Sequence, residues 1–251
     1  MCAKLVLIHA VDPLNISGDG MFKKIFAALG MVAATNGAAI AAGNGLHHPY
    51  EQAHVNYMYN LLFCDDPELF ANQTDKPDVG AWIVLAAEPP DGAALLKIAR
   101  DEKQEGRLRA LAYNRLRASG KTTSSKELLG VIVEVPLEGG LDVLAAFSEG
   151  GVRYLNQSGK ILVIDGSNTP VAGLVKELLA VARPVVAKIG PWEEQRLPAP
   201  AFGNIRITFL VADGLYFGEG PAAILQQDAM AGPVLAKAMQ LLQKATALAV
   251  K

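Results

Sequence analysis

The chain has 251 residues, 51% of them hydrophobic and 19% charged, ample material for a sizeable core. Its formal net charge of −2 leaves no global field pointing to nucleic acid or to a membrane surface. Cys2 and Cys64 are the only cysteines, which excludes a disulfide framework and a cysteine-rich metal site and makes the cytoplasm the default compartment.

In chain order, Leu5-Val6-Leu7-Ile8 reads as a short buried strand, and Pro13, Gly18 and Gly20 then break the chain. Met21-Phe22-Lys23-Lys24 and the apolar run after it fit a core helix over 21–35. If translation starts at Met21, residues 21–41 have the parts of a signal peptide, and export follows. Pro49 suits the first position of a helix carrying Tyr50 to Leu61. Asp65-Asp66-Pro67-Glu68 reads as a strand end passing into a helix start, and 71–78 as a surface loop. The apolar run 81–86 predicts a strand, ended by Pro89-Pro90.

Two helices split near Gly106 follow, and Gly120 stops the second. The pattern next predicts a strand over 129–135 and a short helix over 141–147. A hairpin comes after it: Val152 to Leu155, the loop Asn156-Gln157-Ser158-Gly159, and a return from Lys160 to Ile164. Apolar residues from Val171 to Ala182 recur at helical spacing, and Pro184 should bend or end that helix. A proline-rich connector over 191–200 carries Trp192. A second hairpin runs from Ile205 to Ala212 and returns as Leu215-Tyr216-Phe217, with Asp213-Gly214 predicting a two-residue type I′ turn. The last helix, about 232–249, stripes Leu235, Ala238, Leu241, Leu242, Ala245 and Leu248 along one face.

These elements make an α+β fold, an antiparallel or mixed sheet with two C-terminal hairpins packed by amphipathic helices. Length allows one compact unit over 1–251 or a subdivision into 1–127 and 128–251. Helix, hairpin, helix, hairpin, helix across 141–250 is similar in order to profilin-like and roadblock-type domains. That resemblance implies an interaction or regulatory module and rests on element order alone.

In the first hairpin a four-residue loop puts Val152, Tyr154, Ile161 and Val163 on one face, with Arg153, Leu155, Lys160 and Leu162 on the reverse. In the second, Ile205, Ile207, Phe209, Val211 and Tyr216 share one face; Arg206, Thr208, Leu210 and Phe217 share the other. Both reverse faces are half apolar, so a helix, a partner or a second copy should cover them. Arg153 and Arg206 there want a carboxylate or an anionic ligand, although a strand-end arginine reaching for water is the plainer reading.

His47, His48 and His54 with Asp65 form the densest set of metal ligands or acid–base groups, of a type suited to zinc, iron or manganese. Pro49 breaks the helical spacing between the pair and His54, and Asp65-Asp66 has the simpler task of capping a helix. Ser119-Gly120-Lys121-Thr122 resembles the end of a phosphate loop, but Arg115 occupies the position of the required first glycine. The basic stretch Arg107, Arg109, Arg115, Arg117, Lys121 and Lys126 reads as a solvated helix surface. No Gly-x-Ser-x-Gly or post-strand Gly-x-Gly-x-x-Gly occurs, which lowers the odds of an enzyme and leaves any cofactor unknown. The expectation is a non-catalytic module binding a protein partner or a small anionic ligand, or pairing as a homodimer, through Arg153, Arg206, Leu210 and Phe217. The alternative is a metal-dependent hydrolase with its site near 47–66. Nucleic-acid and membrane partners are not expected.

Overall fold

The computed structural model describes residues 4–8, 46–71, 79–121 and 125–249, the first segment by its backbone. The expected helix over 21–35 and the export segment 21–41 lie outside the described residues.

The elements are β1 (Lys4–Ile8), α1 (Ala53–Leu61), α2 (Glu68–Ala71), α3 (Val79–Ala86), α4 (Gly92–Arg100) and α5 (Gly106–Ala118). There follow β2 (Leu128–Leu137), β3 (Gly140–Phe147), β4 (Val152–Leu155), β5 (Ile161–Asp165) and α6 (Ala172–Lys188). The chain ends with β6 (Asn204–Val211), β7 (Gly214–Pro221), α7 (Ala222–Gln227) and α8 (Ala231–Ala249). The strands form one seven-stranded sheet in the order β1-β5-β4-β3-β2-β6-β7. Every pairing is antiparallel, so the fold is α+β. Among the described residues no helix is long and apolar enough to cross a membrane.

The sheet is covered on both faces. Val131, Val133, Ile207, Phe209 and Tyr216 pack with α6 and α8 on one side. Leu129, Ile132, Val143, Phe147 and Leu210 pack with α1, α4 and α5 on the other. This second core joins residues from both sides of the expected 127/128 subdivision.

Four local expectations are corrected. Residues 81–86 lie in helix α3, not a strand; a short apolar run has no period of its own, and here Leu85 is buried while Ile83 is exposed. Residues 141–147 are strand β3, entered by the Glu138-Gly139 turn that pairs Leu137 with Gly140. With β3 in place of a helix, the order over 128–249 is a four-strand meander, a helix, a hairpin and two helices, which differs from the order on which the profilin-like resemblance rests. Of the two outcomes expected at Pro184, an end of the helix is ruled out: α6 continues to Lys188, and Ala180 and Pro184 are exposed, so water can satisfy the carbonyl that the proline leaves open. Helix α1 begins at Ala53, because the Asn56 side chain ties the Tyr50 amide and carbonyl into a turn (2.8 and 2.7 Å).

Both hairpin registers also shift. Leu155 pairs with Ile161, so the first loop holds five residues, and the Asn156 amide donates to the Lys160 carbonyl at 3.0 Å. Gly159 supplies the left-handed residue of that loop at φ +80. The extra residue turns the return strand over: Leu162 and Ile164 join Val152 and Tyr154, while Ile161 and Val163 lie with Arg153. In the second hairpin Val211 pairs with Gly214, and neither Asp213 nor Gly214 has the positive φ of a type I′ turn. Gly214 serves close approach instead, since a Cβ there would stand 2.9 Å from Pro191 Cβ. The slip is by an even step, so the predicted faces survive.

A candidate ligand-binding cleft

The connector between α6 and β6 forms a strap across the covered charged face. Its prolines withhold backbone donors from helix and sheet, leaving it extended. Pro191 lies against Gly214, and the Trp192 amide donates to the Leu215 carbonyl at 2.7 Å, fastening the strap to the edge of β7. The Trp192 ring stands edge-on to Phe217, centroids 5.1 Å apart, and its Nε1–H donates to the Gln195 carbonyl at 3.0 Å. Glu193 and Glu194 are thereby held out to solvent on a tight bend.

Arg196 then turns inward. Its guanidinium carbon lies 4.0 Å from the centre of the Phe63 ring, Nε donates to Asp65 Oδ2 and Nη2 to Asn60 Oδ1, both at 2.7 Å. The Arg196 carbonyl accepts from His47 Nε2 at 2.8 Å, so the neutral ring carries its proton there. Partial burial lowers the His47 pKa, which favours that neutral form. Immediately after it, the Leu197 and Pro198 carbonyls accept from Arg206 Nη1 at 3.2 and 2.7 Å.

Arg206 is also held by Glu219, which accepts from Nε at 2.9 Å and Nη2 at 2.6 Å. Glu134, fully buried on β2, accepts from the Tyr59 hydroxyl at 2.6 Å, and its other oxygen lies 3.7 Å from Arg206 Nη1 with no hydrogen bond. Desolvation raises the Glu134 pKa more than Arg206 and Tyr59 lower it.

His47, Asp65 and Arg206, three of the expected site residues, therefore meet around the strap and are engaged by protein atoms. His48 and His54 are exposed elsewhere on the turn and on α1. Among the described residues no group of three His, Cys, Asp or Glu side chains is placed to hold a metal ion. The Cys64 thiol is buried and pushed up to about 12 by that burial, which keeps it from acting as a thiolate.

Arg153 lies apart, on β4. It is 4% exposed and donates to Asp165 at 2.5 Å, with Nη1 donating to the Val152 and Ile164 carbonyls at 3.0 and 3.2 Å. Neither strand arginine reaches water, which corrects that expectation; each has the carboxylate partner its burial requires. Leu210 is 1% exposed and Phe217 is half-buried beneath Trp192 and Arg206. The half-apolar sheet face is covered by the chain's own helices.

The basic stretch on α5 is likewise less solvated than expected. Arg109 is 3% exposed and donates to the Ala99 carbonyl and to Glu127; Arg117 Nη1 donates to the Ala212 carbonyl at 2.6 Å. These arginines bolt helix ends and turns together.

Outside the strap's inner surface, Trp192 to Arg196, the α1–α2 junction at Asp65-Asp66 and the β6–β7 turn at Asp213 enclose an open cleft of about 630 Å³. Five carboxylates, Asp65, Asp66, Glu193, Glu194 and Asp213, line it against two arginines, Arg117 and Arg196. Asp213 Oδ2 accepts from the Tyr216 hydroxyl at 3.0 Å, while Oδ1 is shut from solvent without a partner; so is Arg196 Nη1. Glu193, Glu194, Arg196 and Asp213 were not among the expected site residues. The signal that could have found the first three is Trp192-Glu193-Glu194-Gln195-Arg196, a charged run bracketed by prolines. The volume lies within the range of small-molecule sites, while the wall is more polar and more open than is usual for them.

The fold and cleft define an α+β protein with a helix-covered antiparallel sheet and an acidic groove at one strap. No family model, curated protein or solved structure matches the chain.

Proposed function

We infer that this chain is a non-catalytic binding module, and that its ligand or protein partner seats in the cleft beside Trp192. The observation that carries this reading is the open cleft of about 630 Å³ itself, walled by five carboxylates, two arginines and the half-buried Trp192. The binding site thus moves from the face of Arg153, Arg206, Leu210 and Phe217 to the neighbouring groove. His47 and Asp65, candidate metal ligands by sequence, are spent on holding Arg196, which supports binding over hydrolysis.

The test is native mass spectrometry of gently purified full-length chain beside Gln195→Trp. The Gln195 side chain is exposed on the cleft wall, so an indole there narrows the groove without disturbing the core. The expected result is a discrete added mass on the parent protein that is lost from the variant. A parent with no adduct, or an adduct retained by the variant, overturns the assignment.

A further inference from the structure

On one side the sheet ends at β7, which pairs with β6 and with no other strand. In this tight hairpin the closing pair, Val211 with Gly214, and every second pair after it carry the ladder hydrogen bonds. Gly214, Tyr216, Gly218 and Gly220 thus turn their backbone groups toward β6, while Leu215, Phe217, Glu219 and Pro221 turn theirs to the open side. The Trp192 amide agrees with that parity, since it reaches the Leu215 carbonyl from outside the sheet. Past the strap, Phe217 and Glu219 present N–H and C=O groups with no backbone partner among the described residues.

Native sheets blunt such an edge with a free charge, a bulge or a cover. The β6–β7 register runs without a bulge, and the strand's one charged side chain, Glu219, is spent on Arg206. Gly218 is exposed, with open space where a Cβ would stand. Beside the end of this strand lie the two most exposed large apolar side chains among the described residues. Phe202, 67% exposed, is on the turn that the Asn204 amide closes onto the Ala201 carbonyl at 3.0 Å, and Asn204 pairs with Pro221. Ile224, 64% exposed, is on α7, which begins directly after Pro221. Apolar surface beside an unpaired edge is the mark of a contact with another chain.

The edge is complementary to itself, which selects the partner. We propose that β7 pairs antiparallel with the β7 of a second copy, continuing the sheet across a two-fold axis at Glu219. Each Glu219 N–H then meets the other copy's Glu219 carbonyl, and each Phe217 N–H meets the other's Pro221 carbonyl. Pro221, with no N–H to place, ends the ladder there. Gly218 falls opposite Gly220 in the closer type of pair, where missing side chains suit a Cα separation of about 4.5 Å. The two Glu219 carboxylates come side by side, each held by its own Arg206. The strap crosses at Leu215, beyond the paired stretch, where Ile224 of the second copy comes alongside it. This pairing uses no group of the cleft and goes beyond the binding reading.

Sedimentation velocity of the full chain from about 1 to 100 μM tests it, because a dimer's population follows concentration by mass action. The expected result is a reversible monomer–dimer equilibrium. Gly218→Lys, at an exposed position with open space, sets like charges across the axis and should raise the dissociation constant at least about tenfold. Ile224→Asp should raise it as well, and melting temperatures equal to the parent's at the lowest concentration should show both variants folded. Hydrogen exchange of the parent gives a second readout: the Phe217 and Glu219 amides should be protected at high concentration and exchange rapidly on dilution. A chain that stays monomeric throughout overturns the proposal. A dimer that both variants retain, or in which those two amides stay unprotected, overturns the β7 edge as its interface. Assemblies larger than a dimer overturn the two-fold pairing.

Discussion

On one face of the sheet Val133, Ile207 and Phe209 meet Val175, Leu178, Leu241 and Leu242 from α6 and α8. On the other, Glu134, Arg153 and Arg206 share the buried surface with Leu129, Ile132 and Leu210 beneath α1, α4 and α5. The first face is closed by area and shape. The second adds ion pairs whose desolvation is costly, so its net gain per buried residue is smaller and its geometry more demanding. The difference teaches where specificity resides. Apolar side chains tolerate sliding, whereas Arg206, held between Glu219 and two strap carbonyls, fixes strap, sheet and helices in one arrangement. The cleft lies where this charged face meets the solvent.

The strongest way to break the comparison is Arg206→Met. It preserves apolar bulk but strands Glu134 and Glu219 and frees the Leu197 and Pro198 carbonyls; removing one partner of a buried pair costs about 3–5 kcal/mol. Urea unfolding should show that loss. A cost under about 1 kcal/mol would mean that the ions do not hold this face. The matching change on the apolar face is Leu241→Ala, fully buried, which should lose about 3 kcal/mol through transfer and cavity terms. Its denaturant slope should stay unchanged, since no polar latch opens.

Acidity sharpens the contrast. Asp142, on the apolar side, accepts from the Tyr154 hydroxyl and the Gln157 amide, yet burial pushes its carboxyl up to about 6. The folded state therefore holds a proton that the unfolded chain releases from about pH 3.8 upward. Its contribution is complete below that pH, is lost as pH rises to about 6, and amounts to less than about 3 kcal/mol. Glu134 is shifted in the same direction, so its contribution also falls as pH rises above 4.5. Asp142→Asn and Glu134→Gln should each flatten the decline of stability with pH relative to the parent, measured by urea titrations between pH 4 and 7. Parallel profiles for parent and variant would remove the assigned residue from this behaviour.

The sequence made the apolar face readable because its signals are local. The stripe Leu235, Ala238, Leu241, Leu242 and Ala245 needs only helical period, and the faces of β6 need only parity. Strand β3 was lost because Glu138-Gly139 is a turn between two apolar runs, and the second run also fits a helical turn. The five-residue loop at 156–160 could not be told from four by composition, and that one residue inverted β5. The charged face was half visible: Arg153 and Arg206 stood out among apolar neighbours, but their partners did not. The cleft was the least legible, because Arg196 meets Asp65 across 131 residues and Asn60 across 136, and no local pattern records such a meeting.

The smallest expected effect isolates burial from charge. Lys237 on α8 donates to Glu177 on α6 at 2.6 Å, a contact as short as that of Arg206 with Glu219. Its side chains are 30% and 53% exposed, against 5% and 23% for the buried pair. Water solvates both partners when the exposed pair separates, so little is gained by forming it and little is stranded by losing it. Lys237→Ala should change stability by no more than about 0.5 kcal/mol, and the effect should shrink further as salt is raised. Thermal unfolding at low and high salt measures it. A loss approaching that of Arg206→Met would show that distance, not desolvation, sets the strength of ion pairs in this protein, and the contrast between the two faces would dissolve.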